Sequence, residues 1–218
     1  YVEDNEGLKI VEDNEAFGVE EYAIAIKKGN TELLDKVNAS IKKMKEEFVV
    51  LVNQNDEQIG LMAKLEAHEK ALLHRAFSVF VLNEKNEIML QQRAKDKYHS
   101  PLLWTNTCCS HQRENESNLE AGKRRLEEEM GFVTPLVELF SFIYKAPFDN
   151  GLTEHELDHV MIGYYNENPV INREEVESWK WMSIEDIKSD MLLNPMIYTE
   201  WFKIIFEKFY HHIEDQKK

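Results

Sequence analysis

Cysteine is almost missing from this chain: its 218 residues hold two, and they are neighbours, Cys108 and Cys109. Adjacent cysteines reach disulfide geometry poorly, which excludes a disulfide-stapled secreted scaffold and leaves two reduced thiols, as expected in the cytoplasm. Basic residues are also scarce, with 26 Lys and Arg against 41 Asp and Glu and a formal charge of −15. Sequence-independent nucleic-acid binding needs clustered cations, so that class is excluded. A small anionic ligand must then be held by metal ions and a few local cations. Long apolar runs are lacking too: none approaches the roughly 20 residues that span a bilayer, and no membrane partner is expected. No signal peptide is visible, and the first residue is Tyr1 rather than Met, which leaves room for a missing upstream segment. What remains, 43% hydrophobic and 31% charged residues, is the composition of a globular chain able to bury one good core. We expect a monomer.

Residues 1–45 differ in character from the rest. Val-Glu-Asp-Asn-Glu occurs at Val2–Glu6 and again at Val11–Glu15, too few copies for a solenoid. Gly18–Ile26 reads as a short strand and Asn30 as a helix cap. Leu33, Leu34, Val37, Ile41 and Met44 follow at helical spacing. From Glu47 the pattern changes. Phe48–Val52 reads as a buried strand, Asn53–Gly60 as a turn region, and Ala76–Leu82 and Ile88–Arg93 as strands of a hairpin turning at Asn83–Glu87. Leu119–Met130 is an amphipathic helix stopped by Gly131. Leu136–Lys145 and His159–Asn166 read as strands, Ser183 caps a helix over Ile184–Met191, and Asn194–Phe209 reads as helical with Pro195 near its start. Interleaved strands and helices predict a mixed sheet covered by helices.

Three stretches carry chemistry. Trp104-Thr105-Asn106-Thr107-Cys108-Cys109-Ser110-His111 sets a thiol two residues from an imidazole. Glu127, Glu128 and Glu129 crowd a helix C-terminus, where the macrodipole disfavours acids unless a cation compensates. Carboxylates so placed suit Mg²⁺ bridging to phosphate, although an i,i+4 pair of Arg125 with Glu129 would also account for them. Glu154-His155-Glu156 in extended chain points both carboxylates to one face. With His68, His74 and His111 they could complete a mixed nitrogen and oxygen site for Mn²⁺, Mg²⁺ or Zn²⁺.

Glu116, then seven residues, then Arg124-Arg125-Leu126-Glu127-Glu128-Glu129-Met130-Gly131-Phe132 resembles the Nudix box. Ser110 stands where that box has Gly, and Arg125 where it has its second-position Glu, which counts against pyrophosphate hydrolysis. With Leu72–Ser78, Leu90–Ala94, Trp104–His111 and Glu154–Glu156 added, the chain from about Met44 onward resembles the type 1 isopentenyl-diphosphate Δ-isomerases. The resemblance implies a Nudix-like α/β/α sandwich with a mixed β-sheet over residues 46–218. It also implies reversible conversion of isopentenyl diphosphate to dimethylallyl diphosphate by a proton shift. By motif position, Cys109 and Glu156 would be opposed acid/base groups, with Tyr144 assisting protonation near Glu156. His68, His74, His111, Glu154 and Glu156 would hold the metal, and Glu129 a Mg²⁺ bridging to the diphosphate. Lys64, Arg93, Lys97, Ser110 and Arg125 would contact the diphosphate, while Trp104 and Trp201 would wall the hydrocarbon pocket. Gln112 and Glu200 stand where the family usually has Pro, and Pro101-Leu102-Leu103 replaces a loop that usually contains Gly.

The N-terminal strand–helix appendage, residues 1–45, resembles the C-terminal end of an amino-acid-binding protein of ABC-transporter type, through Glu20–Asn30 and Leu33–Asn38. It is read as a fusion or a misassembled reading frame, with Met44 a credible original start of the larger segment. Two other functions stay open: a Nudix pyrophosphohydrolase, and a non-catalytic binding role centred on residues 1–45. Plain structural roles are expected for His155, His159, the tail pair His211-His212, Tyr164, Tyr165, Phe202, Phe206 and Phe209. The sequence leaves His99 undecided.

Overall fold

The computed structural model describes residues 8–9, 26–27, 29–46, 48–97, 99–147 and 151–215. The chain divides into two compact units, Tyr1–Phe48 and Val49–Lys218. In the first, β1 (Leu8–Lys9) pairs antiparallel with β2 (Ile26–Lys27), and α1 spans Thr31–Glu46. Asn30 caps α1 as its position predicts, its Oδ1 accepting from the Leu33 amide at 3.1 Å. Of the strand expected over Gly18–Ile26 only Ile26 is among the described residues; the rest, and the side chains of Ile41 and Met44, lie outside them.

The second unit runs β3 (Phe48–Val52), β4 (Gln58–Ala63), α2 (Lys64–Glu69), β5 (His74–Leu82), β6 (Ile88–Arg93), β7 (Trp104–Thr105), β8 (Cys108–Ser110), α3 (Asn118–Met130), β9 (Val137–Pro147), β10 (Thr153–Tyr164), β11 (Val176–Met182), α4 (Ile184–Leu193), a 3₁₀ turn at Pro195–Ile197 and α5 (Glu200–Asp215). The main sheet path is β11-β6-β5-β10-β9. Pairing of β5 with β10 is parallel, while β9, β11 and β8 join antiparallel. β5 is apolar and buried on both faces, the mark of a central strand. Phe77, Val79 and Val81 pack toward Leu126 and Met130 of α3, and Phe80 and Leu82 toward Phe202, Phe206 and Phe209 of α5. The unit is thus an α/β/α sandwich with a mixed sheet, and the core role expected for those three phenylalanines holds. Tyr164 instead lies mostly in solvent, while Tyr165 stacks on Phe132 at 3.8 Å.

Local chemistry explains the boundaries. A capping box, Ser117 with Glu120, starts α3, and Gly131 in the left-handed region ends it. At Gly131 a Cβ would lie 2.3 Å from the Val170 carbonyl oxygen, so only glycine fits. β4, α2 and β11 are not legible in the sequence. The first two come after an Asx turn at Asn53–Glu57 that repeats the Asn83–Glu87 hairpin: in each, the Asn side chain accepts from two amides further on. The helix expected across Asn194–Phe209 is broken. The Thr199 amide donates to the Trp104 carbonyl, and the Thr199 hydroxyl caps a new helix by accepting from the Phe202 amide. His159–Asn166 proves to be the end of a strand that begins six residues earlier, at Thr153. Among the described residues no helix is long and apolar enough to cross a membrane.

β5 and β6 splay apart beyond their turn, and Thr105-Asn106-Thr107 fills the wedge. The Thr107 hydroxyl accepts from the Val81 amide at 2.9 Å and donates to the Met89 carbonyl at 2.6 Å, stitching both strands. The Asn106 amide donates to the Val79 and Cys108 carbonyls. This wedge sets β8 beside β5 in the register Phe77↔Ser110, Ser78↔Cys109, Val79↔Cys108. The loop leading into it holds Leu102 at φ 60°, where a glycine would sit without strain. An L-residue pays about 1–2 kcal/mol there, against about 0.5–1 kcal/mol of unfolded-state entropy for glycine. Leu102 is 47% exposed, so little burial is lost. Leu102→Gly should therefore raise Tm by about 1–3 °C in a thermal melt; a lower Tm would show the position to be unstrained.

Candidate active site

The two cysteines part company at β8. Cys108 points into the α3 face and is fully buried, whereas Cys109 packs on the opposite face and lines a cavity. Burial pushes the Cys109 thiol up to about 12 against the pull of Arg93, with the nearby carboxylates of Glu129, Glu154 and Glu156 adding to the rise. Near neutral pH the sulfur therefore keeps its proton. Glu156 sits on β10, on the other side of β5 from Cys109, so the two backbones are separated sideways by two strand spacings, about 10 Å. Both side chains face the same cavity, leaving room for a ligand between them.

Four groups converge at the Glu156 end. Ligand atoms of His68, His74, His111 and Glu156 all lie within 4.8 Å of one another. His68 Nδ1 meets the Lys64 carbonyl at 2.6 Å and His74 Nδ1 the Leu72 carbonyl at 2.8 Å. These bonds fix the tautomer in which Nε2 carries a lone pair and turn both Nε2 atoms inward. Each of those atoms is buried without a hydrogen-bond partner. A buried polar atom left so is costly, and a divalent cation at the point of convergence removes the cost. Burial lowers His68 to about 4, and the His74 imidazole beside it lowers it further. Burial and the charge of Lys64 lower His111 to about 3, against its bond to Glu156. Neutral imidazoles beside one carboxylate fit a divalent metal.

Glu154 stands outside that set, and Tyr144 links it in. Tyr144 Oη lies 2.5 Å from Glu156 Oε2 and 3.0 Å from Glu154 Oε2. Burial pushes Glu156 up, but its bond to His111 at 3.0 Å and the imidazole of His74 at 3.5 Å outweigh it and hold the carboxylate well below its usual range. Burial and the Glu156 charge push Glu154 well above its own. A phenol has one proton to give, so Tyr144 donates to Glu156 and accepts from protonated Glu154.

Four cations line the cavity, Lys64, Arg93, Lys97 and Arg125, together with four carboxylates, Glu129, Glu154, Glu156 and Glu175. Burial and the charge of Arg93 lower the Lys64 ammonium. Arg125 meets Glu129 at 2.6 Å and Glu175 at 3.2 Å, so the i,i+4 pair read from the sequence is present. Glu129 also accepts from Gln91 at 2.8 Å. Ser110 lines the cavity, as does Trp201, whose indole N–H donates to Thr105 Oγ1 at 3.0 Å while Arg93 lies 5.1 Å from its ring. Trp104 is not among the lining residues: its ring lies under Lys180 at 4.2 Å. Gln91, Ser78 and Glu175 line the cavity without any spacing in the sequence to announce them. His99, left undecided, lines it against Trp201. His155 turns away to the Ala71 carbonyl, and His159 is held between Glu138 and Asp56.

A parallel β5–β10 pair in a mixed sheet, a helix capped by Gly131, and carboxylates and guanidinium groups at that helix's end define a Nudix-class α/β/α protein. The NUDIX domain family matches residues 72–202. Solved structures of that architecture superpose well: a protein of Deinococcus radiodurans (TM-score 0.60, 19% identity, 73% of this chain and 97% of that one) and the MutT protein of Methanosarcina mazei (0.55, 18%, 67% and 96%). Closer in sequence are proteins named isopentenyl-diphosphate Delta-isomerase. One from Pectobacterium atrosepticum is 47% identical over 73% of this chain and 89% of its own length. Another, from Photorhabdus laumondii, is 45% identical over 79% and 98%, and a third, from Aromatoleum aromaticum, is 43% identical over 75% and 86%. The chain belongs to the isopentenyl-diphosphate Delta-isomerase family. The resemblance of residues 1–45 to a solute-binding protein finds no support among these relatives.

Proposed function

We propose that this chain interconverts isopentenyl diphosphate and dimethylallyl diphosphate by moving a proton across an allylic unit. The observation that carries this reading is the cavity itself, with a protonated Cys109 thiol on one side of β5 and the Tyr144–Glu156 pair on the other. The alkene must gain a proton at its terminal CH₂ and lose one from the carbon two bonds away. Two proton-carrying groups across one cavity do this without the substrate turning over. The developing tertiary cation lies against the Trp201 indole, worth roughly 0.5–2 kcal/mol, and a bound substrate that displaces water from the cavity protects it from capture. Lys64, Arg93, Lys97, Arg125 and Ser110 hold the diphosphate, and that remote binding fixes the hydrocarbon in place.

His68, His74, His111 and Glu156 would hold a divalent metal, with Glu154 reaching it through Tyr144 or directly. Imidazole nitrogens favour Zn²⁺ or Mn²⁺ over Mg²⁺. Bound there, the ion fixes the Glu156 carboxylate and tempers its basicity. With Glu154 protonated, three charged carboxylates, Glu129, Glu156 and Glu175, still offset most of the charge of the four cations, which supports a Mg²⁺ arriving with the diphosphate beside Glu129. Two free thiols suit a reducing compartment and support a cytoplasmic enzyme. Residues 1–45 stay outside this catalytic unit.

Hydrolysis is the weaker reading. Arg124 binds Glu116 at 2.6 and 2.8 Å and Glu128 at 3.3 Å, while Arg125 takes Glu128 and Glu129. The box carboxylates are committed to guanidinium groups. Proton NMR of isopentenyl diphosphate with the metal-loaded protein and Mg²⁺ in D₂O separates the readings. Dimethylallyl diphosphate carrying deuterium is expected; released monophosphate or orthophosphate would transfer the assignment to hydrolysis.

A further inference from the structure

Glu175, like Gln91 and Ser78, is a residue of this cavity that no motif accounts for, and it alone of the three carries a charge. It lies just before β11, and its backbone is pinned on both sides. The Glu175 amide donates to the Asn172 carbonyl, and the Glu175 carbonyl accepts from the Ala94 amide, each at 3.0 Å. The Asn172 amide in turn donates to the Glu129 carbonyl at 2.9 Å, tying this turn to the end of α3. From that fixed base the carboxylate reaches the cavity wall. One oxygen, Oε2, takes both the Lys97 ammonium and, at 3.2 Å, the Arg125 guanidinium. These are two of the four cations available to a diphosphate, and a single carboxylate oxygen engages both.

We propose that Glu175 is a built-in competitor for the diphosphate: its carboxylate holds Lys97 and Arg125 when the cavity is empty, gives them up to the incoming diphosphate, and reclaims them as the product leaves. The inference rests on the diphosphate reading above and adds a release step to it. The physical case is a contest between anions. A carboxylate carries one negative charge and the pair is only partly buried, with Lys97 and Glu175 side chains 24% and 23% exposed. A multiply charged diphosphate with a divalent cation can therefore displace it, while a fixed backbone returns it to the same place. Lys97 and Arg125 without this counter-charge would hold the product diphosphate as firmly as that of the substrate, and product release limits many enzymes. The alternative is that Glu175 only props the two cations in position, and the two roles predict opposite signs.

Glu175→Gln keeps the shape and removes the charge. Inorganic pyrophosphate with Mg²⁺ is titrated calorimetrically into the full-length, metal-loaded wild type and variant. We expect the dissociation constant to fall about tenfold in the variant. In turnover, KM for isopentenyl diphosphate should fall and kcat should fall with it as release slows. Weaker or unchanged pyrophosphate binding overturns the proposal. Glu175→Asp, with a shorter reach to the same cations, should fall between wild type and Gln and serves as the second variant if Gln fails to fold. Because pyrophosphate binding is read without turnover, a wild type that binds pyrophosphate but does not isomerise defeats the functional reading and leaves this one testable.

Discussion

Cys109→Ala is expected to lower the isomerisation rate by about a thousandfold while leaving fold and diphosphate affinity almost unchanged. The rate loss is that of removing one positioned proton carrier, about 10²–10⁴-fold. Affinity should hold within about twofold, because the cations that meet the diphosphate lie on other elements, Lys64 on α2 and Arg125 on α3. Cys108→Ala is the informative control. Burial pushes the Cys108 thiol well up as it does that of Cys109, so proton affinity alone does not tell the two apart. Direction does: Cys108 fills the α3 face and only Cys109 lines the cavity. Cys108→Ala should cost roughly 1 kcal/mol of stability and little rate. The assay is the deuterium NMR experiment on each variant. A Cys109→Ala enzyme within tenfold of wild type would remove the thiol from the mechanism.

Much of this site was legible before any coordinates, and unevenly so. The thiol–imidazole run and the Glu-x-Glu pair are local patterns, readable because strand alternation fixes which side chains share a face. The box around Arg124–Gly131 is legible through its resemblance to the Nudix box, since helix spacing and the glycine stop alone left a plain i,i+4 pair as an equal account. What stayed hidden depends on long-range pairing. Glu175 becomes a cavity residue only because β11 pairs antiparallel with β6, and Gln91 only because Thr107 splays β6 from β5. Trp104 shows the converse. Its place in a chemistry-bearing run put it on the pocket wall, yet Thr105, next along β7, is the residue that anchors the Trp201 indole there. The break at Thr199 was missed because its cause, a bond to the Trp104 carbonyl, lies 95 positions away in a different motif.

Stripping the divalent metal is expected to have the second large effect, on rate and stability together. Without a cation to bind, the two buried imidazole nitrogens His68 Nε2 and His74 Nε2 would be left with no hydrogen-bond partner. At a free metal concentration about a hundred times Kd, binding contributes about 2.7 kcal/mol. A chain of this size then loses about 5–10 °C in Tm on chelation. Turnover should fall at least about a hundredfold, because Glu156 is held in place by the same cluster that supplies its proton affinity. One equivalent of Zn²⁺ or Mn²⁺ should restore both properties, whereas Mg²⁺ should need a large excess. Acid should act late. Both His68, lowered to about 4, and His111, lowered to about 3, are neutral at pH 5. Protons therefore do not compete for these two nitrogens at pH 5, and their hold on the metal should weaken only as the pH falls through about 4. Metal analysis of the purified protein, with melts before and after chelation, checks this. A chelated enzyme that keeps its Tm and its rate would mean that the three histidines and Glu156 hold one another, and that the proton shift needs only Cys109, Tyr144 and Glu156.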